Sequence, residues 1–205
     1  IAAPTVRACL ALLRVASDDW PYRELLRLIN HSQFTKFTDA ERRDAELAIR
    51  RAQVPQGQQK LLEMVERAAQ PSDGRGVDGA KRRAHQTLRR LADTLALLPR
   101  TGGPARWTEQ LSAAAATLGL TVGAEPAGRL FLRGLYSLAT LQQWTGQAAS
   151  LSAGEFLAAA TQVAREQTLG DPAGPGRVAV VEAETVRGMA QRYLLFISLG
   201  EQSFP

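Results

Sequence analysis

The chain has 205 residues, of which 45% are hydrophobic, 22% charged and only 6% aromatic, and its formal net charge is +5. That balance suits a packed globular protein and argues against a disordered one, and the length is enough for one domain with a sizeable core. No run approaches the ~20 apolar residues of a bilayer-spanning helix, so no membrane partner is expected. Cys9 is the only cysteine; an intrachain disulfide is impossible, and a cytoplasmic location fits. Apart from Lys36, Lys60 and Lys81, every basic residue is arginine, the side chain best matched to phosphate.

Pro4 suits the first turn of a helix over 4–16, with Val6, Leu10 and Leu13 on one face and Cys9 as a small core thiol. Ser17-Asp18-Asp19 closes it, and Trp20-Pro21 opens a second helix over 21–31 carrying Tyr22, Leu25, Leu26 and Ile29 at helical spacing. His31 is expected there as a dipole-stabilising end residue. Thr38-Asp39-Ala40-Glu41 is a capping-box pattern for a charged helix to Ala52, and another helix over 58–69 ends before Pro71. The glycine-rich 72–79 reads as a loop. A long helix is expected over 80–98, with Leu88, Leu91, Leu95 and Leu98 inward. Helices over 104–118 and 129–145 flank a turn at 122–128. Ser152 and Glu155 form a second capping box, opening a helix to about 167.

The linker 170–176 leads to two apolar runs, 178–182 and 193–198, which read as strands. Two strands alone are marginal in water, so partners outside this chain are expected. With Ile1 in place of an initiating methionine, the chain reads as an excised piece of a larger protein.

No phosphate-cradling Gly-x-x-x-x-Gly-Lys-[Ser/Thr] or Gly-x-Gly-x-x-Gly motif is present, so the isolated chain is expected neither to bind nor to hydrolyse ATP. His31 and His85 are the only histidines and lack metal-ligand spacing with Cys or carboxylates. Asp18-Asp19 reads as a helix end, and Glu182 and Glu184 as one face of a strand, so no metal site is expected. The segment Lys81, Arg82, Arg83, with His85, Arg89 and Arg90, stands out more. Positions 82, 86, 89, 90 and 93 fall on one helix side, opposite the leucines. Such a face is either solvated surface or a phosphate-backbone contact, which needs no base-specific side chain. It has no interleaved aromatics, which argues against a single-strand stacking platform on this helix.

At the C-terminus, a strand-like Val178-Ala-Val-Val181 precedes Arg187-Gly188, then the apolar Tyr193 to Leu199, Glu201 and Phe204-Pro205. This series resembles motif V of UvrD-like superfamily 1 helicases and the strand after it, in which a basic-Gly step is followed by a strand and a closing Glu and Phe-Pro. Thr5 to Arg14 and Asp18 to Asn30 resemble the helix pair after motif IV of the same family. Ala190 stands where active members carry Glu, Glu184 where they tend to have His, and Arg187 replaces the usual Lys. That pattern is closer to the AddB/RexB-type subunit of bacterial helicase–nucleases, in which the helicase fold is retained for DNA handling.

The resemblance implies a mainly α chain. Residues 1–35 would be helices of the second RecA-like domain and 36–170 a helical 2B-like insertion. Residues 171–205 would be a motif V strand–turn–strand element returning to the RecA-like sheet, its strands parallel. It implies DNA contacts at Arg187 and Thr185, with Arg187 and Gly188 near a nucleotide. Lys81, Arg82, Arg83, Arg89 and Arg90 would supply a diffuse positive surface. ATP and Mg would belong to the parent protein, with no cofactor in this piece. Its partners would be DNA, a second helicase–nuclease subunit and the rest of the parent chain. The alternative is a helical protein-interaction domain without nucleic-acid binding.

Overall fold

Pro4 occupies the first turn of α1 (Pro4–Ser17), where its missing N–H leaves no helical bond unmade. The computed structural model describes residues 3–70, 78–145 and 150–166, all within one compact unit, Ile1–Thr168. The helices after α1 are α2 (Tyr22–Ile29), α3 (Asp39–Ala52), α4 (Gln58–Ala69), α5 (Gly79–Leu95), α6 (Pro104–Thr117), α7 (Pro126–Thr145) and α8 (Ala153–Glu166). The described chain is mainly helical, as expected. Thr5, Val6, Ala8 to Leu13 and Val15 are all buried, which marks α1 as the central helix. It packs against α2, α6, α7 and α8, while α3, α4 and α5 pack on one another, and one continuous apolar core joins both groups.

The α1–α2 turn is locked to the α3–α4 loop. Asp19 and Trp20 both take left-handed backbone conformations, φ 50° and 59°. The turn is held by Gly57 N–H donating to the Asp19 carbonyl (2.8 Å) and Tyr22 N–H donating to that of Pro55 (2.9 Å). The Asp19 carboxylate then accepts from Gln58 N–H at 3.0 Å, capping α4 from a distant part of the chain.

Both expected capping boxes form. Glu41 N–H donates to the Thr38 hydroxyl (3.2 Å) while Thr38 N–H donates to the Glu41 carboxylate (2.8 Å). Ser152 and Glu155 repeat the exchange. Cys9 is fully buried, as its apolar stripe implied.

Three local expectations change. α5 stops at Leu95 rather than Leu98, although Leu98 stays buried in the turn beyond. α7 starts at Pro126, not 129, after a 3₁₀ turn at Val122–Ala124. Gly128 permits this: a Cβ there would overlap the Val122 carbonyl. The third change is a two-residue antiparallel pair, β1 (Thr101–Gly102) with β2 (Leu151–Ser152), in which Thr101 faces Ser152. It is the only sheet among the described residues. Trp107 fastens it, donating its indole N–H to the Leu151 carbonyl at 3.0 Å and stacking on Phe156 at 5.1 Å. The strands expected at 178–182 and 193–198, and with them the RecA-like element, lie outside the described residues.

Candidate nucleic-acid interface

Asp78 caps the start of α5, its carboxylate accepting from Ala80 N–H at 3.0 Å. The inner face of α5 buries Ala84, Leu88, Leu91 and Leu95. Lys81, Arg82, Arg83, Gln86, Arg89 and Asp93 are exposed, but Arg90 is half-buried. At ~100° per residue, Arg83 and Arg90 are rotated roughly a quarter turn from Arg82, which turns them toward α3.

There they are engaged. Arg83 Nε donates to Asp44 Oδ2 at 2.8 Å. Arg90 Nη2 lies 3.1 Å from Glu41 Oε1 and donates to the Lys36 carbonyl at 3.3 Å. Its guanidinium also sits 5.1 Å from the Phe37 ring centroid, a cation–π distance. The single basic side expected for 82, 86, 89, 90 and 93 is therefore divided, with Arg90 on the packed flank. Glu41 reflects the same arrangement. Burial pushes its carboxyl pKa up, but the Thr38 N–H and hydroxyl and the Arg90 charge outweigh this and hold it below the ordinary value.

The outward cations are Lys81, Arg82 and Arg89. Among the described residues, Lys81 and Arg82 have no carboxylate partner. Arg89 is 4.0 Å from Asp93, and both are exposed, so that pair contributes little. Arg89 also borders an open polar cleft of about 880 Å³ with Asp19, Lys60, Glu63 and Glu66, where charges of both signs mix. Lys81 also lines the groove between α3, α4 and α5, together with Asp44 and Asp78. Thr185, Arg187 and Gly188 lie outside the described residues.

His31 does not act as expected. Burial lowers its pKa, and Arg7 and Arg42 lower it further, so it is not a favoured cation at the end of α2. Arg42 takes that role. Its guanidinium donates to the carbonyls of Ile29 (2.5 Å), His31 (3.0 Å) and Phe34, and its Nε to Phe37 (3.3 Å). A fixed cation from α3 thus satisfies the carbonyls beyond the α2 C-terminus, where the helix dipole is negative.

α7 carries a second set of outward residues. Arg129, Arg133, Tyr136, Thr140 and Trp144 recur at helical spacing on its outer side, opposite the buried Phe131 and Leu135. The helix contains no acidic residue. That spacing is visible in the sequence, but which side of α7 the neighbouring helices cover is not.

Among the described residues, no group of three or more His, Cys, Asp or Glu side chains is placed to hold a metal ion. No described helix is long and apolar enough to cross a membrane. Comparison with protein-family models, curated proteins and solved structures finds no match to this chain.

Proposed function

We propose that this chain is a helical, DNA-handling portion of an AddB-like helicase–nuclease subunit acting in double-strand break repair, with no complete active site of its own. The local role is electrostatic. Arg83 and Arg90 are used in fixing α5 on α3, which leaves Lys81, Arg82 and Arg89 on a rigid helix to meet phosphates. The observation that carries this is the division of the α5 cations: the inward ones have protein partners at 2.8 Å and 3.1 Å, and the outward ones at its N-terminal end have none among the described residues. Side chains of this kind neutralise the DNA backbone without reading sequence. The parent assignment rests on the resemblance at Arg187-Gly188, Glu201 and Phe204-Pro205. ATP and Mg would be bound by the parent, and a second helicase–nuclease subunit would be its partner. In the full-length protein, Arg187→Ala is expected to weaken DNA engagement by about 1–3 kcal/mol, the size of a charge-assisted contact.

One observation favours the alternative, a helical protein-interaction domain. Between α3, α4 and the start of α5 runs an apolar groove of about 320 Å³. Leu47 and Met64, on its two sides, are 43% and 38% exposed. Fluorescence anisotropy with labelled duplex DNA at low salt, followed by a salt titration, separates the two. Tight binding with a steep salt slope supports the DNA role, and no binding at low salt supports the interaction domain.

A further inference from the structure

The described surface contains one tryptophan exposed to solvent. Trp144 is 81% exposed, whereas Trp20 and Trp107 are buried. Tyr136, on the same side of α7, is 43% exposed. A large aromatic left this open has a substantial apolar face with no ring stacked on it among the described residues. The two rings are eight residues apart, roughly 12 Å along the helix at ~1.5 Å per residue, with the small Thr140 midway.

The charge along this helix has one sign. Arg133 and Arg129 lie about one and two turns from Tyr136 toward the N-terminus, and α7 contains no Asp or Glu, although Glu125 directly precedes it. Arg129 donates to the carbonyls of Gly123 (3.4 Å) and Ala124 (3.0 Å), which fixes its position beside the turn. Arg133 is exposed with no carboxylate partner among the described residues. Cations for a backbone followed by open π-faces are the two ingredients of single-strand recognition. A duplex keeps its bases stacked on each other and gains little from Tyr136 and Trp144. An apolar protein partner would use the rings but not Arg129 and Arg133.

We infer that the outer face of α7 is a stacking platform for single-stranded DNA. Tyr136 and Trp144 receive bases, and Arg133 and Arg129 hold the phosphates between α7 and the preceding turn. The inference rests on the reading of the chain as a DNA-handling piece, but not on the α5 surface.

The buried state of Trp20 and Trp107 makes Trp144 a direct probe, because an added strand can stack only on the exposed indole. The intact chain would be titrated with a short oligo(dT) while its tryptophan emission is followed. Labelled oligo(dT) and labelled blunt duplex would be titrated in parallel by anisotropy against Tyr136→Ala, Trp144→Ala, Trp144→Phe, Arg133→Ala and a combined Lys81→Ala, Arg82→Ala, Arg89→Ala variant. The expected result is saturable quenching that weakens with salt. Each aromatic-to-Ala change should lose roughly 5- to 100-fold in oligo(dT) affinity, and Trp144→Phe should keep most of it. These are surface positions, and the remaining indole emission reports that each variant is folded. Absence of quenching, or Ala variants that bind oligo(dT) like the parent, overturns the platform. If duplex binding persists while oligo(dT) binding is absent, the platform fails and the α5 role stands. If oligo(dT) binding requires α7 while duplex binding is absent, the platform stands and the α5 role fails.

Discussion

The Arg90 guanidinium lies 3.1 Å from the Glu41 carboxylate and 5.1 Å from the centre of the Phe37 ring. One arginine thus ties the middle of α5 to the first turn of α3. The same carboxylate closes the Thr38 capping box, so cap, ion pair and aromatic contact form one connected unit. Arginines adjacent in sequence have separate consequences as a result.

Arg90→Ala is expected to lower stability by about 1–2 kcal/mol, through the lost cation–π contact and the Glu41 carboxylate left without its partner. Arg82→Ala should change stability by less than about 0.5 kcal/mol, since it removes no contact to the fold. Urea denaturation of the two variants beside the parent protein measures the difference. Equal losses would show that Arg90 is ordinary surface.

The Glu41 cap should carry a pH signature. Its pKa is lowered in the folded chain, so folding favours the ionised form. That contribution is complete above the unfolded value of about 4.3 and disappears as pH falls from there through the lowered folded pKa. Glu41→Gln should therefore melt below the parent at pH 7, by about 1 kcal/mol of stability, with the gap narrowing toward pH 3. A gap that stays constant across that range argues against the assignment.

Gly128→Ala should be among the most damaging single changes in the chain. The added methyl would meet the Val122 carbonyl, which as backbone can yield little, and would approach the buried Thr5 Cγ2 at 3.2 Å. A loss of about 3 kcal/mol or more is expected, read from the thermal midpoint. A variant as stable as the parent would mean that α7 can shift freely against the 3₁₀ turn.

Cys9 should be silent in the native state. Burial pushes its pKa up to about 12, so almost no thiolate exists at pH 8, and the sulfur is enclosed. A disulfide reagent at pH 8 should react quickly in denaturant and at least ~100-fold more slowly without it. Comparable rates would place Cys9 at the surface.

Signals confined to a few neighbouring residues were readable from the sequence. Pro4 at the start of α1 and the Thr38–Glu41 and Ser152–Glu155 boxes are of this kind. Asp19 capping α4 and Arg42 gathering the carbonyls around His31 were not readable, because each acts on a segment that only the fold brings near. The same limit applied to the candidate interface. Helical periodicity placed Arg82 and Arg89 outward, but could not show that Asp44 and Glu41 would meet Arg83 and Arg90 across the α3–α5 contact. Tyr136 and Trp144 sit at helical spacing in the sequence, but spacing alone does not say whether such rings are buried or open. Only neighbouring elements decide which side of a helix is covered.

The central claim is that Lys81, Arg82 and Arg89 present α5 to the DNA backbone. Equilibrium binding of labelled duplex DNA across a salt series, for the parent chain and for Lys81→Ala, Arg82→Ala, Arg89→Ala combined, tests it most directly. Each phosphate contact contributes about 0.9 to the slope of log affinity against log salt. The combined variant should bind more weakly at low salt, with a slope shallower by about 2–3. No duplex binding by the parent at low salt, or an affinity and slope left unchanged by the triple substitution, would contradict the claim.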